Sequence, residues 1–462
     1  MTQPASGDTP ATLALDVSDV LAGDYGAAGV RAIAQHPFRF GLAELTEKCL
    51  PGAASRTTYA LLRTKYKPGR KLTATYELTF DGAGSRHVCV TWSTERIASL
   101  PGQTTGAPDE NEVAPFSRLS ATTDDGLTSL QVAPSDPTMP QLRRLNDAEH
   151  LGAVMGRLVG RSVPVPRPLD VRTVRYRPGE RHVLMVRSGP GRPGVFVKTD
   201  RDDRGATAVP VAAAMSPLVA GRCLGAHLVE PLGYSDGDLA AFWVHAAGMP
   251  LSQQLTQSVP KAIQLVRLFG QAVRAWHDSG AHVPPWLRQQ LSERAARDVA
   301  AEMAATRRAG DLISVLLPEA WSTFVAVLDG VAAALDQIPP DANTVIHGDL
   351  KSDNVLVAGG QLRLIDLDRV AWADPALDLG KFLADLQWWC RDEALASALG
   401  AAFRGGYGPR EAQRWARADL IAEMYRLMFA ARRCVVHDPH WEVDVSRQIA
   451  DTADALGKGW GR

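Results

Sequence analysis

Late in the chain, His347-Gly348-Asp349-Leu350-Lys351-Ser352-Asp353-Asn354 sets a carboxylate and a carboxamide five positions apart, and Ile365-Asp366-Leu367-Asp368 follows closely. A short loop of this composition can turn Asp349 toward an acceptor hydroxyl and Asn354 toward a divalent cation. Asp366, and Asp368 beside it, can add hard carboxylate oxygens for the same ion. Lys351 can act as a point cation on a transferring group. With one further lysine on a nucleotide, which Lys198 can provide, this is the equipment of phosphoryl transfer, where protein groups position and stabilise rather than form covalent intermediates. The candidate catalytic residues are Asp349, Lys351 and Asn354, and the candidate metal ligands are Asn354, Asp366 and Asp368. A solvated turn that matches by chance would not carry the His, Asp, Asn and Ile-Asp together at this separation.

Those side chains need a scaffold that is β-rich first and helical later. Residues 344–367 predict a short strand at Val345 and Ile346, a loop, and a hairpin whose arms, 355–357 and 362–365, meet at Gly359-Gly360. From Leu251 the periodicity turns helical over 261–279, 286–308, 318–338, 376–403 and 410–438, with that region as its one β interlude. Upstream, the alternating run 72–80, a turn at 81–84 and the run 87–92 predict a β-hairpin, while 1–10 and 101–126 read as loose polar segments. Tyr66-Lys67-Pro68-Gly69-Arg70 returns about 110 residues later as Tyr176-Arg177-Pro178-Gly179-Glu180-Arg181, each followed by strand, Gly-rich turn and strand. Only the second of these weak repeats ends on a lysine, Val195-Phe196-Val197-Lys198, against Val88-Cys89-Val90-Thr91 in the first. For Tyr66 to Arg70 a plain turn is the simpler reading.

The loop and Ile365-Asp366-Leu367-Asp368, together with Asp374-Pro375-Ala376-Leu377-Asp378-Leu379, Trp276-His277 and Gly248-Met249-Pro250-Leu251, resemble the motifs of the aminoglycoside phosphotransferase and choline kinase superfamily over roughly residues 172–406. The resemblance implies an α+β, bilobal protein kinase-like fold. A β-rich nucleotide lobe would occupy 161–245 and a mainly helical C-lobe 246–462. An additional N-terminal α+β domain, a candidate diverged repeat of the nucleotide lobe, would fill 1–160. It further implies ATP and Mg²⁺ as cofactors and an alcohol group as acceptor. Lys198 becomes the nucleotide-phosphate lysine, assisted by Arg181 or His182, and the backbone from Phe242 through Trp243, Val244 and His245 borders the adenine. His347 and Asp378 support the catalytic loop. Several features depart from the family pattern. Leu367 and Asp368 follow the metal aspartate where an aromatic or small residue is usual. Lys351 stands where small-molecule kinases more often carry histidine. The phosphate-covering turn holds a single glycine. No glutamate lies between Lys198 and Glu230, so the partner of Lys198 must be Asp200, Asp202, Asp203 or a carboxylate from elsewhere.

Other readings compete at single residues. Asp378 is also a plain helix-start carboxylate, His277 is structural rather than catalytic, and Trp388 and Trp389 form core or groove wall. At 462 residues, 45% apolar and 22% charged, with a net charge of −1, the chain is an ordinary globular composition of two or three lobes with no global field for nucleic acid or membrane. Five scattered cysteines show no disulfide framework, the N-terminus shows no signal pattern, and the apolar run 206–221, a buried helix or loop, is interrupted by Pro210 and Pro217; a cytoplasmic location is expected. The expected partners are a nucleotide and a hydroxyl-bearing small molecule: a sugar, an aminoglycoside-like compound or another metabolite. A polycationic acceptor would want an acidic wall, yet its candidates, Asp385, Asp392, Glu393 and Glu423, are interleaved with Arg391, Arg404 and Arg426. A second reading is a peptide Ser/Thr kinase of the kind found in lanthipeptide-type dehydration. A third, of another class, is a nucleotide-binding pseudokinase that meets a protein partner through its N-terminal domain.

Overall fold

The computed structural model describes residues 3–4, 15–52, 57–80, 84–97, 118–134, 136, 138–160, 169–189, 194–293, 297–408, 412–434, 436, 438 and 440–459. Apart from Gln3–Pro4, the expected loose segments at 1–10 and 101–117 lie outside these residues. So do most of the hairpin turn expected at 81–84 and residues 161–168, the start of the expected nucleotide lobe.

Where the sequence predicts a two-strand hairpin, the chain forms a six-stranded antiparallel sheet. Its strands are β1 (Gln3–Pro4), β2 (Thr57–Lys67), β3 (Lys71–Phe80), β4 (Gly84–Ser93), β5 (Ser120–Thr122) and β6 (Thr128–Val132), in the order β1-β2-β3-β4-β6-β5. β5 thus structures part of the stretch 101–126 expected to be loose. Alternation along β3 buries Leu72, Ala74, Tyr76, Leu78 and Phe80 on one face. Helices α1 (Val17–Ala22), α2 (Gly26–Gln35) and α3 (Leu42–Cys49) join that core, and the buried polar tips find backbone acceptors there. The Tyr76 hydroxyl donates to Ala34 O at 2.8 Å and the Trp92 indole to Phe40 O at 2.7 Å.

Two helices, α4 (Gln141–Leu145) and α5 (Ala148–Leu158), precede a second antiparallel sheet. It contains β7 (Asp170–Arg177), β8 (Arg181–Arg187) and β9 (Val195–Asp200), then, after α6 (Arg204–Ala220) and β10 (Ala226–Leu228), β11 (Pro231–Ser235) and β12 (Ala240–Val244). Its order is β11-β12-β9-β8-β7. Leu151, Val154 and Met155 of α5 share a core with Leu184, Val186, Val197 and Phe242. The run with Pro210 and Pro217 is helix α6, buried through Val211, Ala212, Met215 and Val219.

Beyond the short β13 (Met249–Pro250) the chain is helical: α7 (Val259–Ser279), α8 (Pro285–Glu293), α9 (Val299–Leu316) and α10 (Pro318–Leu335). The β interlude holds β14 (Thr344–Ile346), β15 (Val355–Ala358), β16 (Gln361–Leu364) and β17 (Ala371–Ala373). β14 pairs with β17, a strand not anticipated, and β16 runs parallel to β10. Then follow α11 (Ala376–Trp389), α12 (Glu393–Tyr407), α13 (Ala412–Arg432) and α14 (Trp441–Gly459), the last also unanticipated. Two expected long helices are each split. Asp298 caps α9 by accepting Ala301 N–H at 2.7 Å, and Asp392 caps α12 by accepting Ala394 N–H at 2.8 Å, so local side-chain capping outcompetes continuous helix. Where α7 and α12 cross, a Cβ on Gly406 would fall 1.9 Å from Arg267 O, so only glycine permits the approach. No helix among the described residues is long and apolar enough to cross a membrane.

Candidate active site

The catalytic loop leaves β14 and is held from below by α11. Asp378, fully buried in the first turn of that helix, accepts backbone N–H groups from His347 at 2.6 Å and Gly348 at 2.8 Å. Burial alone would raise its carboxyl. The His277 contact, 3.2 Å from Nε2, and the loop donors outweigh it and hold the pKa below the usual range. His277 is buried between Asp378 and the Tyr407 hydroxyl, 2.9 Å from its Nδ1, which is a structural post. Gly348 has φ +71°, and a Cβ there would lie 2.1 Å from Arg369 O. The His347 ring closes the other side, with Nε2 3.0 Å from Ile365 O. A second brace was missed in the sequence: Asp385 is buried and accepts Ser352 N–H at 2.7 Å and the Ser352 hydroxyl. It is therefore no part of an acidic wall. Asp392 is spent on capping α12, and Glu423 pairs with Arg426 at 2.9 Å.

Asp349 projects from this braced loop with its side chain only 16% exposed. Lys381 Nζ lies 2.7 Å from Oδ1 and Lys351 Nζ 2.9 Å from Oδ2, while the Asn354 amide donates to Asp349 O at 2.9 Å and Oδ2 at 3.3 Å. Burial pushes the Asp349 carboxyl up, but the Lys381 and then the Lys351 ammonium groups win and hold it well below its ordinary value. Lys381 was not singled out from the sequence. It is buried in α11, with its ammonium 5.0 Å from the Tyr425 ring centre. Its signal was its spacing: three residues after Asp378, it shares that residue's helix face.

Asp366 ends the hairpin with φ 67°, a left-handed conformation in which a non-glycine residue is uncommon and which directs its carboxylate out of the strand. The partner of Lys198 comes from here, not from the nearby chain. Lys198 Nζ lies 2.5 Å from Asp366 Oδ1 and also pairs with Asp368. Arg181 completes the cluster, with Nη2 2.5 Å from Asp368 and Nε 2.7 Å from Asp200, while Asp202 pairs with Arg204 at 2.9 Å. Burial works against both metal-motif carboxylates, but Lys198 holds Asp366 low, whereas burial keeps Asp368 above its usual range despite Lys198. Mg²⁺ commonly takes one or two protein carboxylates and leaves its remaining positions to water and phosphate. Asn354 and Asp366 fit that demand. Among the described residues no group of three or more acidic, His or Cys side chains is placed to hold a metal ion.

Register places the nucleotide-lobe residues. Arg175, Val183, Lys198 and Ala241 form one row across β7, β8, β9 and β12, and Met185, Phe196 and Trp243 form another. Cross-strand partners share a face, so Trp243 lies on the Lys198 face. Val244 ends β12 and His245 follows it; their N–H groups donate to Glu230 O at 3.0 Å and Gly194 O at 2.9 Å. His182 points the other way. It is buried, 3.1 Å from Thr173 Oγ1, so it does not stand beside Lys198, and burial lowers its pKa to about 4. The single-glycine turn is gripped from outside the lobe: Gly179 N–H donates to Asp136 Oδ2 at 2.5 Å, and Lys65 of β2 pairs with Glu180. Trp388 packs under Arg433, whose guanidinium carbon lies 3.8 Å from the ring centre, while Trp389 is part-exposed at 38%.

A model of the phosphotransferase enzyme family matches residues 190–421, from just before β9 into α13. A choline/ethanolamine kinase family protein from Mesorhizobium loti is 18% identical, covering 67% of this chain and 95% of its own at a TM-score of 0.43. A macrolide 2'-phosphotransferase from Brachybacterium faecium is 17% identical, covering 68% and 99% at 0.40. A spectinomycin phosphotransferase, solved with ADP and spectinomycin, is 12% identical, covering 67% and 98% at 0.44. A search of curated protein sequences finds no match.

Proposed function

The chain belongs to the phosphotransferase enzyme family, and from that premise we propose that it transfers the terminal phosphoryl group of ATP, with Mg²⁺, to a hydroxyl group of a small molecule. The observation that carries this reading is the convergence of Asp349, Asn354, Asp366 and Lys198 from three separate elements onto one site. In the proposed reaction the acceptor O–H donates to Asp349 as its oxygen attacks phosphorus. The new O–P bond forms, the bond to the ADP oxygen breaks, and the hydroxyl proton passes to the carboxylate and then to solvent. A carboxylate held this far down is a weak base. Its main contribution is orientation, with proton uptake late, which suits a loose phosphoryl-transfer transition state. Lys351, already against Asp349, and Lys198 offset phosphate charge, and Arg181 steadies Asp368. Bound Mg²⁺, held by Asn354 and Asp366 with Asp368 beside them, would neutralise phosphate charge.

The recessed position of Asp349 supports a small acceptor over an extended peptide. The test is Asp349→Ala assayed by mass spectrometry of candidate acceptors with ATP and Mg²⁺. Loss of about 10²- to 10⁴-fold in transfer is expected, and full retained transfer would refute the mechanism. Mg²⁺-dependent ATP binding by the wild type without transfer to any acceptor would favour the pseudokinase, and labelled Ser or Thr in a peptide would favour the peptide kinase.

A further inference from the structure

Asp349 is touched by two lysines that are held in different ways. Lys351 belongs to the loop itself; its Nζ lies 2.9 Å from Oδ2 and its side chain is 31% exposed. Among the described residues its ammonium has no other partner. Lys381 Nζ lies 2.7 Å from Oδ1 and its side chain is 2% exposed. That ammonium is also 3.4 Å from Gly348 O and 5.0 Å from the Tyr425 ring centre. The helix beneath it cannot give way, because α11 is pressed onto α13. A Cβ on the adjacent Gly380 would fall 2.6 Å from Ile421 Cγ2 and 2.7 Å from Ala418 O. Lys351 can turn away; Lys381 is locked.

A buried ammonium is costly unless a counter-charge stays with it. For stability alone Lys381 is one cation too many, because the single carboxylate it meets is already neutralised by Lys351. The surplus has a use once phosphate arrives. Phosphoryl oxygens compete with Asp349 for Lys351, whose flexible stem lets it pass between them. Its departure would leave a recessed carboxylate without a counter-charge and free to rotate. Lys381 supplies both the charge and the anchor, at Oδ1. Oδ2 is then the open oxygen, still steered by Asn354 Nδ2 at 3.3 Å.

We infer that Lys381 is a positioning residue that stays on Asp349 Oδ1 through the reaction, while Lys351 moves from Oδ2 to the transferring phosphoryl group and opens Oδ2 to the acceptor hydroxyl. The hydroxyl proton passes to Oδ2, and both lysines keep theirs. This rests on the phosphotransfer reading and divides the labour within that same site.

The experiment is a double-mutant cycle on the full chain with γ-labelled ATP, Mg²⁺ and a small-molecule extract as the source of acceptor. It reads the rate of labelled product at saturating extract, and the ATP and extract needed for half that rate. Lys381→Met should lower the rate about tenfold or more, bounded by the ~10²- to 10⁴-fold that loss of the base costs. The half-saturating ATP and extract should change by less than about twofold, the mark of a contact that matters in the transition state. On an Asp349→Asn background the same substitution should cost less than about threefold, since the ion-pair partner of Lys381 is gone. Lys351→Met should still cost about tenfold there, because its phosphate contact does not need the carboxylate. Where Lys381→Met fails to hold its Tm, Lys381→Gln, which keeps a donor for Oδ1 without the charge, takes its place in the cycle. A merely structural lysine would lower the rate by the same factor on both backgrounds, and that result overturns the inference while phosphotransfer stands. So does an effect of Lys351→Met that vanishes with Asp349→Asn. Absence of labelled product from the wild type overturns both readings.

Discussion

Lys71, Thr73 and Thr91 of the first sheet occupy the register positions that Arg181, Val183 and Lys198 occupy in the second. Counted from β2, with the two-residue β1 at its edge set aside, the first sheet begins like the second with a three-strand meander whose first turn is Pro-Gly, closed by Lys67 opposite Lys71 in one and Arg177 opposite Arg181 in the other. In both, the fourth strand lies outside the fifth, and the helices that precede the sheet cover the face of Leu72 or of Leu184. What differs is the opposite face. In the first sheet it offers Thr73 and Thr91, whose hydroxyls meet at 3.3 Å, and in the second it offers Lys198 and Arg181 to the metal-motif carboxylates. Two sheets can thus share a strand order while a single row of side chains decides which of them meets the carboxylates of Asp366 and Asp368.

The largest expected break in this comparison is Lys198→Thr, which writes the first sheet's residue into the second. Loss of the cation from a preorganised site should cost about 10²- to 10³-fold in kcat/KM, and Thr91→Ala should leave it within about twofold; equal sensitivity at the two positions would deny the contrast. Next comes pH. His182 fills the register position of Leu72 and, by burial and then the neighbouring His87, titrates near 4. Because this folded value lies below that of the unfolded chain, the unfolded state binds the extra proton. Stability should therefore be complete above pH 6.5, fall through the interval down to pH 4, and level off below it. The span corresponds to about 3 kcal/mol at most. His182→Leu, which copies the first sheet, should flatten that part of the curve in denaturant titrations; an unchanged slope would remove His182 as the cause.

The loop from His347 to Asn354 was legible because its placement is local: Asp349, Asn354 and Asp366 sit on one hairpin with its approach, so spacing in sequence is nearly spacing in space. Asp374 to Leu379 was legible for the same reason, as a helix start under the loop. The groups that neutralise these residues were not. Lys198 finds Asp366 and Asp368 across two lobes, and Lys381 and Asp385 look like surface residues of an amphipathic helix until α13 covers it. Periodicity likewise predicted helix through Asp298 and Asp392, because a cap satisfies orphan N–H groups without disturbing the apolar pattern on either side. In the first sheet, β3 and part of β4 could be read from alternation. The helices before it, which bury Leu72 and Tyr76, are too short to announce themselves by period.

The two smallest effects concern how the regions meet. Asp136 is buried, accepts Thr138 N–H at 3.0 Å through Oδ1, and takes Gly179 N–H at 2.5 Å through Oδ2. Asp136→Ala leaves a part-buried N–H without an acceptor, which should cost about 1–3 kcal/mol. Because the orphan lies in the turn beside Arg181, the nucleotide KM should rise along with the fall in Tm. A Tm loss with an unchanged KM would show that the turn does not depend on its grip.

Lys65 and Glu180 join the same two regions by charge, but their side chains are 45% and 46% exposed. Screening and the entropy of ordering a long lysine leave such a pair about 0.5 kcal/mol or less. Lys65→Ala should thus change Tm by no more than a degree or two and the nucleotide KM by less than about twofold, and raised salt should erase even that. If Lys65→Ala instead matched Asp136→Ala, the first sheet would be acting on the phosphate turn through its field rather than through a hydrogen bond to the turn's backbone. The contrast would then be between two charged faces, only one of which reaches the metal-motif carboxylates.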